Sequence, residues 1–319
     1  MKGMTMWRLP DPRFEVATAL DQGSRDYQED SLITDFPIGD DCGIVVLADG
    51  MGGHACGDVA SNIVVTEVFA DLKFQKLEFI EREEFIPEMM MHALEDANET
   101  LGHHVADNPA VRGMGATMVS VVVVGQNMYW NSVGDSPLYH YRGGKMCKLN
   151  EDHSMAPQID LLAESGILKP EEAANHPDRN SLTSAIVGGK IPRIDNPQES
   201  FELEAKDIIV VSSDGLQFLD DDEIAKIVHR NRKKSSSSIT NALLLAVRSL
   251  NDPDQDNISI AVIKVHHVDP VARLKRRDVV EADKAATRLV LDDNRTDEEK
   301  AEDDAEKVLR FSPDRAARS

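Results

Sequence analysis

The chain has 319 residues, 41% hydrophobic and 29% charged, enough apolar material for one large domain and an appendage. Its formal net charge of -22 excludes general nucleic-acid binding, since a phosphate backbone would be repelled. No apolar run approaches the roughly 20 residues of a membrane span, and the opening MKGMTMWRLPDPRF lacks the apolar core of an export signal.

Three widely spaced cysteines, Cys42, Cys56 and Cys147, fit free thiols in a reducing compartment better than a disulfide framework. The expectation is a cytoplasmic protein with no nucleic-acid and no membrane partner. Residues 269–319 are nearly charge-balanced, so the acidity belongs to residues 1–268, as suits a site that gathers carboxylates around cations.

In chain order, short runs rich in β-branched residues predict strands over 15–20, 31–35 and 43–48. Helix-like segments follow over 55–72 and 83–105. Strands over 116–124, 128–133 and 138–141 succeed one another with tight connections, which implies an antiparallel meander. The stretch 157–197 is poor in large apolar residues and broken by Pro170, Pro177 and Pro192; with a helix over 155–165 at its start, it reads as an excursion from the core.

A strand over 208–212, helices over 221–229 and 238–250, and a strand over 258–265 complete the domain. The last of these helices is capped by the serine run 235–238. Beyond 269, TDEE at 296–299 resembles a capping box ahead of a charged helical extension. The class is α+β: a domain over 1–268, with the excursion at about 157–197, and an extension over 269–319.

The chemistry lies in acids at strand ends. In VVLADGMGGHA an apolar run ends at Asp49 and Gly50, and DIIVVSSDGLQFL repeats the pattern at Asp214 and Gly215. Asp256 stands just before the last strand, Asp135 lies between two predicted strands, and LDQGSRDYQEDS places Asp21, Arg25, Glu29 and Asp30 between the first two.

An isolated Asp-Gly is usually a turn. Two of them closing apolar strands, with a third acid at the mouth of another, point instead to acids converging at one sheet edge. Ionised carboxylates about 4 Å apart repel by about 4 kcal/mol at an effective dielectric of about 20, so such a set needs cations or raised pKa values. All-oxygen ligation selects Mg²⁺ or Mn²⁺ over Zn²⁺.

Other chemistries fail on spacing. No cysteine has an Arg six residues downstream, GGKI at 188–191 lacks the rest of a nucleotide loop, and DPDQDN at 252–257 carries Asn where a calcium loop needs Gly. There is no HExxH.

Taken in order, SRDYQED, ADGMGGHACGDVAS, GMGAT, VGDS, EDHS, SSDGL and DNIS resemble the PPM (PP2C-type) metal-dependent serine/threonine protein phosphatases of bacteria. The likeness covers roughly residues 12–266, and residues 165–189 resemble that family's flap. It implies an α-β-β-α sandwich of two antiparallel sheets flanked by helices, with a flap subdomain and two Mn²⁺ or Mg²⁺ ions at one end.

By motif position Asp49 would bridge both ions, the Gly50 carbonyl, Asp214 and Asp256 would complete their ligation, and Asp135 would hold a third. Arg25 would bind phosphate, and Glu29 and Asp30 would ligate or order waters. The implied reaction is in-line attack on phosphorus by a metal-bridging hydroxide, with phosphorylated Ser/Thr proteins, substrates of a cognate kinase, as partners. His54 is a candidate general acid, although three extra residues separate it from the Asp-Gly and packing at the next helix start is the blander reading. Pro137 and Ser184 replace arginines common in the family. The competing reading is a catalytically weak regulatory domain that binds a phosphoprotein or kinase; the retained acid set argues against it.

Overall fold

The computed structural model describes residues 13–38, 40–52 and 56–267; His54 and the expected extension lie outside them. Eleven strands and seven α-helices are formed among the described residues. The first half carries β1 (Phe14–Asp21), β2 (Asp30–Asp35), β3 (Cys42–Met51), α1 (Gly57–Phe74), α2 (Lys76–Glu81), α3 (Ile86–Asp107), β4 (Gly115–Ala116), β5 (Met118–Val124) and β6 (Asn127–Val133). The second carries β7 (Leu138–Arg142), β8 (Lys145–Lys148), α4 (Ala156–Glu164), α5 (Pro170–Ala174), β9 (Phe201–Glu202), β10 (Ile208–Ser212), α6 (Asp221–Asn231), α7 (Ser236–Arg248) and β11 (Ile258–Val265). The small elements β8, β9, α2 and α5 carry no periodicity long enough to read in advance.

Two antiparallel sheets result, ordered β2-β3-β5-β6-β9 and β1-β11-β10-β7-β8, with β4 beside the end of β3. Period-two alternation decides which side chains fill which layer. Val45 and Leu47 of β3, Val119, Val121 and Val123 of β5, Ile209 and Val211 of β10, and Ala261 and Ile263 of β11 meet between the sheets. The alternate residues of β3 and β5 pack under α1 and α3. Those of β10 and β11 pack under α6 and α7, which completes the four layers. No helix among the described residues is long and apolar enough to cross a membrane.

The predicted meander is corrected. β5 and β6 pair through a tight turn at Gly125, but β7 pairs with β10 in the opposite sheet. Residues 134–137 are therefore a crossover between sheets, and Asp135 sits on it rather than in a hairpin. Gly134 has φ +103°, a conformation that favours glycine, and the Pro137 carbonyl accepts from Ser212 N. Strand alternation identifies an inward face without saying which sheet owns it, so the swap was not legible in sequence. The predicted strand over 116–124 also breaks at Thr117, whose N–H donates to the Asp49 carbonyl at 2.8 Å.

Candidate metal centre

The inward rows of both sheets change from apolar to polar at one end. On β3 the row runs Val45, Leu47, Asp49, and β2 places Asp30 directly opposite Asp49. On the other sheet Ser213 follows Val211, while Asn257 and Ser259 precede Ala261. Ser213 Oγ accepts from Ser259 N at 2.9 Å and donates to Asp30 Oδ2 at 2.7 Å, tying the sheets together.

A cavity of about 630 Å³ opens above this layer. Arg25, Glu29, Asp49, Gly50, Thr117, Asp135, Asp214, Asp256 and Asn257 line it, together with residues 180–182. Seven of the residues singled out in the sequence thus converge. Asp30 is buried beneath the cavity rather than on its wall. A smaller cavity of about 350 Å³ shares Asp135, Asn180 and Asp214 and adds Asp152 and Arg179.

Glycines make the close approaches possible. A Cβ on Gly50 would lie 1.9 Å from the Gly57 carbonyl oxygen, and one on Gly215 would lie 2.0 Å from that of Asn257. A Cβ on Gly57 would lie 2.4 Å from Glu29 Oε1 and 2.7 Å from the Gly50 oxygen, so those two oxygens face the same small space at the start of α1. Asp49 N donates to Thr117 Oγ1 at 3.2 Å, and Gly50 N donates to the Glu29 carbonyl at 3.1 Å.

The carboxylates are electrostatically frustrated. Burial, then repulsion from Asp214 and Asp256, pushes Asp30 up to about 7 despite the hydroxyls of Ser213 and Ser259. Burial and Asp214 push Asp135 up to about 7. Burial and Asp256 raise Asp214 to about 6, and burial followed by Asp214 holds Asp49 well above the usual carboxylate range. Arg25 Nη2 donates to Asp256 Oδ2 at 2.6 Å, a partial counter-charge at the rim.

This donor set fits hard divalent cations. It is all oxygen, and Glu29 Oε1, Asp30 Oδ1 and Asp214 Oδ1 are buried without a hydrogen-bond partner, a condition that is costly unless something else binds them. Among the described residues no three His, Cys, Asp or Glu side chains are already drawn together around one point. Small divalent ions that keep several waters and take one or two carboxylates each need no such cage.

Sequence reading missed Asn257 and Thr117, whose roles lie in bonds to distant main chain. The available signal was a polar residue at an inward position of an otherwise apolar strand.

Comparison with known proteins points to one family. A family model described as "Protein phosphatase 2C" matches residues 24–244, ending before Asp256, which the fold nevertheless brings to the cavity. The protein phosphatase PhpP of Streptococcus pneumoniae is 30% identical over 228 residues, 71% of this chain and 87% of that protein. The serine/threonine phosphatase stp of Listeria monocytogenes is 28% identical over 223 residues, 69% and 84% of the two chains.

Among solved structures, the Mycobacterium tuberculosis phosphatase PstP/Ppp aligns with TM-score 0.65 at 25% identity, covering 80% of this chain and 99% of that one. The catalytic domain of PstP with two manganese ions aligns with TM-score 0.64, at the same identity and coverage. The chain therefore belongs to the protein phosphatase 2C family, the metal-dependent protein serine/threonine phosphatases.

Proposed function

We propose that this site hydrolyses phosphoserine and phosphothreonine in proteins phosphorylated by a kinase of the same cell, by direct attack of water and without a phosphoenzyme. The observation that supports this reading is the gathering of Arg25, Glu29, Asp49, Gly50, Asp135, Asp214 and Asp256 around one cavity at the joined ends of two sheets. To the family's metal dependence we add an assignment of two Mn²⁺ or Mg²⁺ ions. Asp49 would reach both, Gly50 through its carbonyl, Asp214 and Asp256 would complete the set, Glu29 and Asp30 would ligate or order waters, and Asp135 would hold a third ion. When bound, such cations lower the pKa of a coordinated water and neutralise phosphoryl oxygens as Lewis acids.

The chain's own groups supply position. Asp49 is fixed through both its N–H and its carbonyl by Thr117, so its carboxylate has little freedom to drift. Arg25 presents a planar fork at the rim; with one nitrogen on Asp256, the remaining N–H groups suit two phosphoryl oxygens. Residues 180–182, from the stretch read as the flap, add to the lining of the cavity. Residues 1–268 serve as the catalytic domain in this reading, with 157–197 as its flap.

The test is phosphate release from a phosphothreonine peptide in Mn²⁺, in EDTA, and with Asp49→Asn. EDTA should abolish release, and Asp49→Asn should lose several kcal/mol of transition-state stabilisation, about 1,000-fold in rate. Undiminished turnover in either arm would overturn the reading.

A further inference from the structure

Asn257 is almost wholly buried, and its side-chain amide makes three hydrogen bonds to the main chain of one loop. Its Oδ1 accepts from Glu29 N at 2.7 Å, and its Nδ2 donates to the carbonyls of Gln22 at 2.8 Å and Tyr27 at 2.9 Å. The loop so gripped is the one that carries Arg25. Its tip is exposed, with Tyr27 55% accessible, and it contributes no regular structure between β1 and β2.

Two main-chain contacts add to the grip. Ser24 N donates to the Gln255 carbonyl at 2.9 Å, and a Cβ on Gly23 would lie 2.2 Å from the Asp256 carbonyl oxygen, so the loop is laid flat on residues 255–257. The neighbouring Asp256 holds the Arg25 guanidinium. One dipeptide thus fixes both the head of Arg25 and the backbone on either side of it.

We infer that Asn257 is a positioning residue for phosphate capture: it sets the place of Arg25 over the cavity and does not itself touch the phosphoryl group. The inference rests on the reading of Arg25 as the phosphate-binding cation. The amide is needed in chemical detail, since an acceptor on one side and two donors on the other is a pattern that Asp, Ser and Ala each fail to reproduce.

The experiment is a double-mutant cycle of Asn257→Ala with Arg25→Ala, read as the inhibition constant of inorganic phosphate and as kcat/KM on a phosphothreonine peptide, with Mn²⁺ affinity by calorimetry. Alone, Asn257→Ala should lower kcat/KM about 100-fold, the scale of a small displacement of a positioned group, and weaken phosphate inhibition about as much as Arg25→Ala does. In the Arg25→Ala background it should add almost nothing to the loss of phosphate inhibition, and Mn²⁺ affinity, which also senses Glu29 held by the same amide, should fall far less than phosphate inhibition does.

Additive losses would overturn the inference while leaving Arg25 in its role. An Arg25→Ala enzyme with unchanged phosphate inhibition would remove the Arg25 reading and this inference with it. Should Asn257→Ala fold poorly, Asn257→Ser, which keeps one small donor and acceptor, carries the same cycle.

Discussion

Asp214 shows what a single side chain costs in order to serve this site. Its Oδ1 is buried without a hydrogen-bond partner, and desolvation, then repulsion from Asp256, raises its pKa to about 6 although a hydrogen bond with Asp49 opposes the rise. Asp214→Asn removes the charge at nearly constant volume. In EDTA the variant should melt higher than wild type, by about 2–4 °C for each kcal/mol relieved in a domain of this size, yet it should release phosphate in Mn²⁺ about 1,000-fold more slowly. Scanning calorimetry beside kinetics separates the two effects, and an unchanged or lower melting temperature would show that the apoprotein bears no such cost. His54 lies outside the described residues and is tested chemically. If it is the general acid, His54→Ala slows a phosphothreonine peptide by about 100-fold or more but spares p-nitrophenyl phosphate, whose leaving group departs without a proton; equal losses on both substrates would remove that role. Asp49, Asp214 and Asp256 were legible in the sequence because each closes or opens an apolar strand. Asn257 was not, because its partners are main-chain groups of a loop some 230 residues away.

At the scale of elements, the junction of β3 with α1 is the tightest contact in the site. Gly50 has ordinary φ, so glycine is required there for space: a methyl group would meet the Gly57 and Glu29 carbonyl oxygens at 1.9 and 2.7 Å. Rigid backbone on both sides cannot yield cheaply, so Gly50→Ala should cost about 1–3 kcal/mol and weaken Mn²⁺ binding as α1 is pushed from β3. A matched control lies at α6, where Asp220 Oδ1 accepts from Glu223 N and Glu223 Oε2 accepts from Asp220 N. Asp220→Ala should cost about 1 kcal/mol with activity intact, and loss of activity there would mean that stability alone controls the site. The long strands and helices were readable because alternation and 3.6-residue periodicity are local properties. The owner of β7 was not, since Leu138 points inward whichever sheet holds its strand, and the choice is made by pairing with Val211.

For the whole molecule, the carboxylate cluster couples folding to both protons and cations. Asp30 and Asp135 titrate near 7 and Asp214 near 6 in the folded chain, all raised from an ordinary value near 4. A carboxyl whose folded pKa is raised binds protons more tightly when folded, so its stabilising effect is present below the unfolded value and is lost as pH rises through the folded one. Metal-free protein should therefore melt progressively lower between pH 5 and pH 8. Asp207 works in the opposite sense: although burial opposes it, the bonds from Arg142 and His140 lower its pKa to about 2. Its contribution is lost only as pH falls from about 4 toward 2, outside that window. Cations favour the ionised cluster, so saturating Mn²⁺ should reverse the slope, with the melting temperature rising from pH 5 to pH 8 as protons cease to compete. General repulsion within a chain of net charge -22 also lowers stability with rising pH, and Asp214→Asn separates the local part because it should flatten the EDTA curve while leaving the global part in place. A metal-free melting temperature that is flat or rising across the window would remove the coupling altogether.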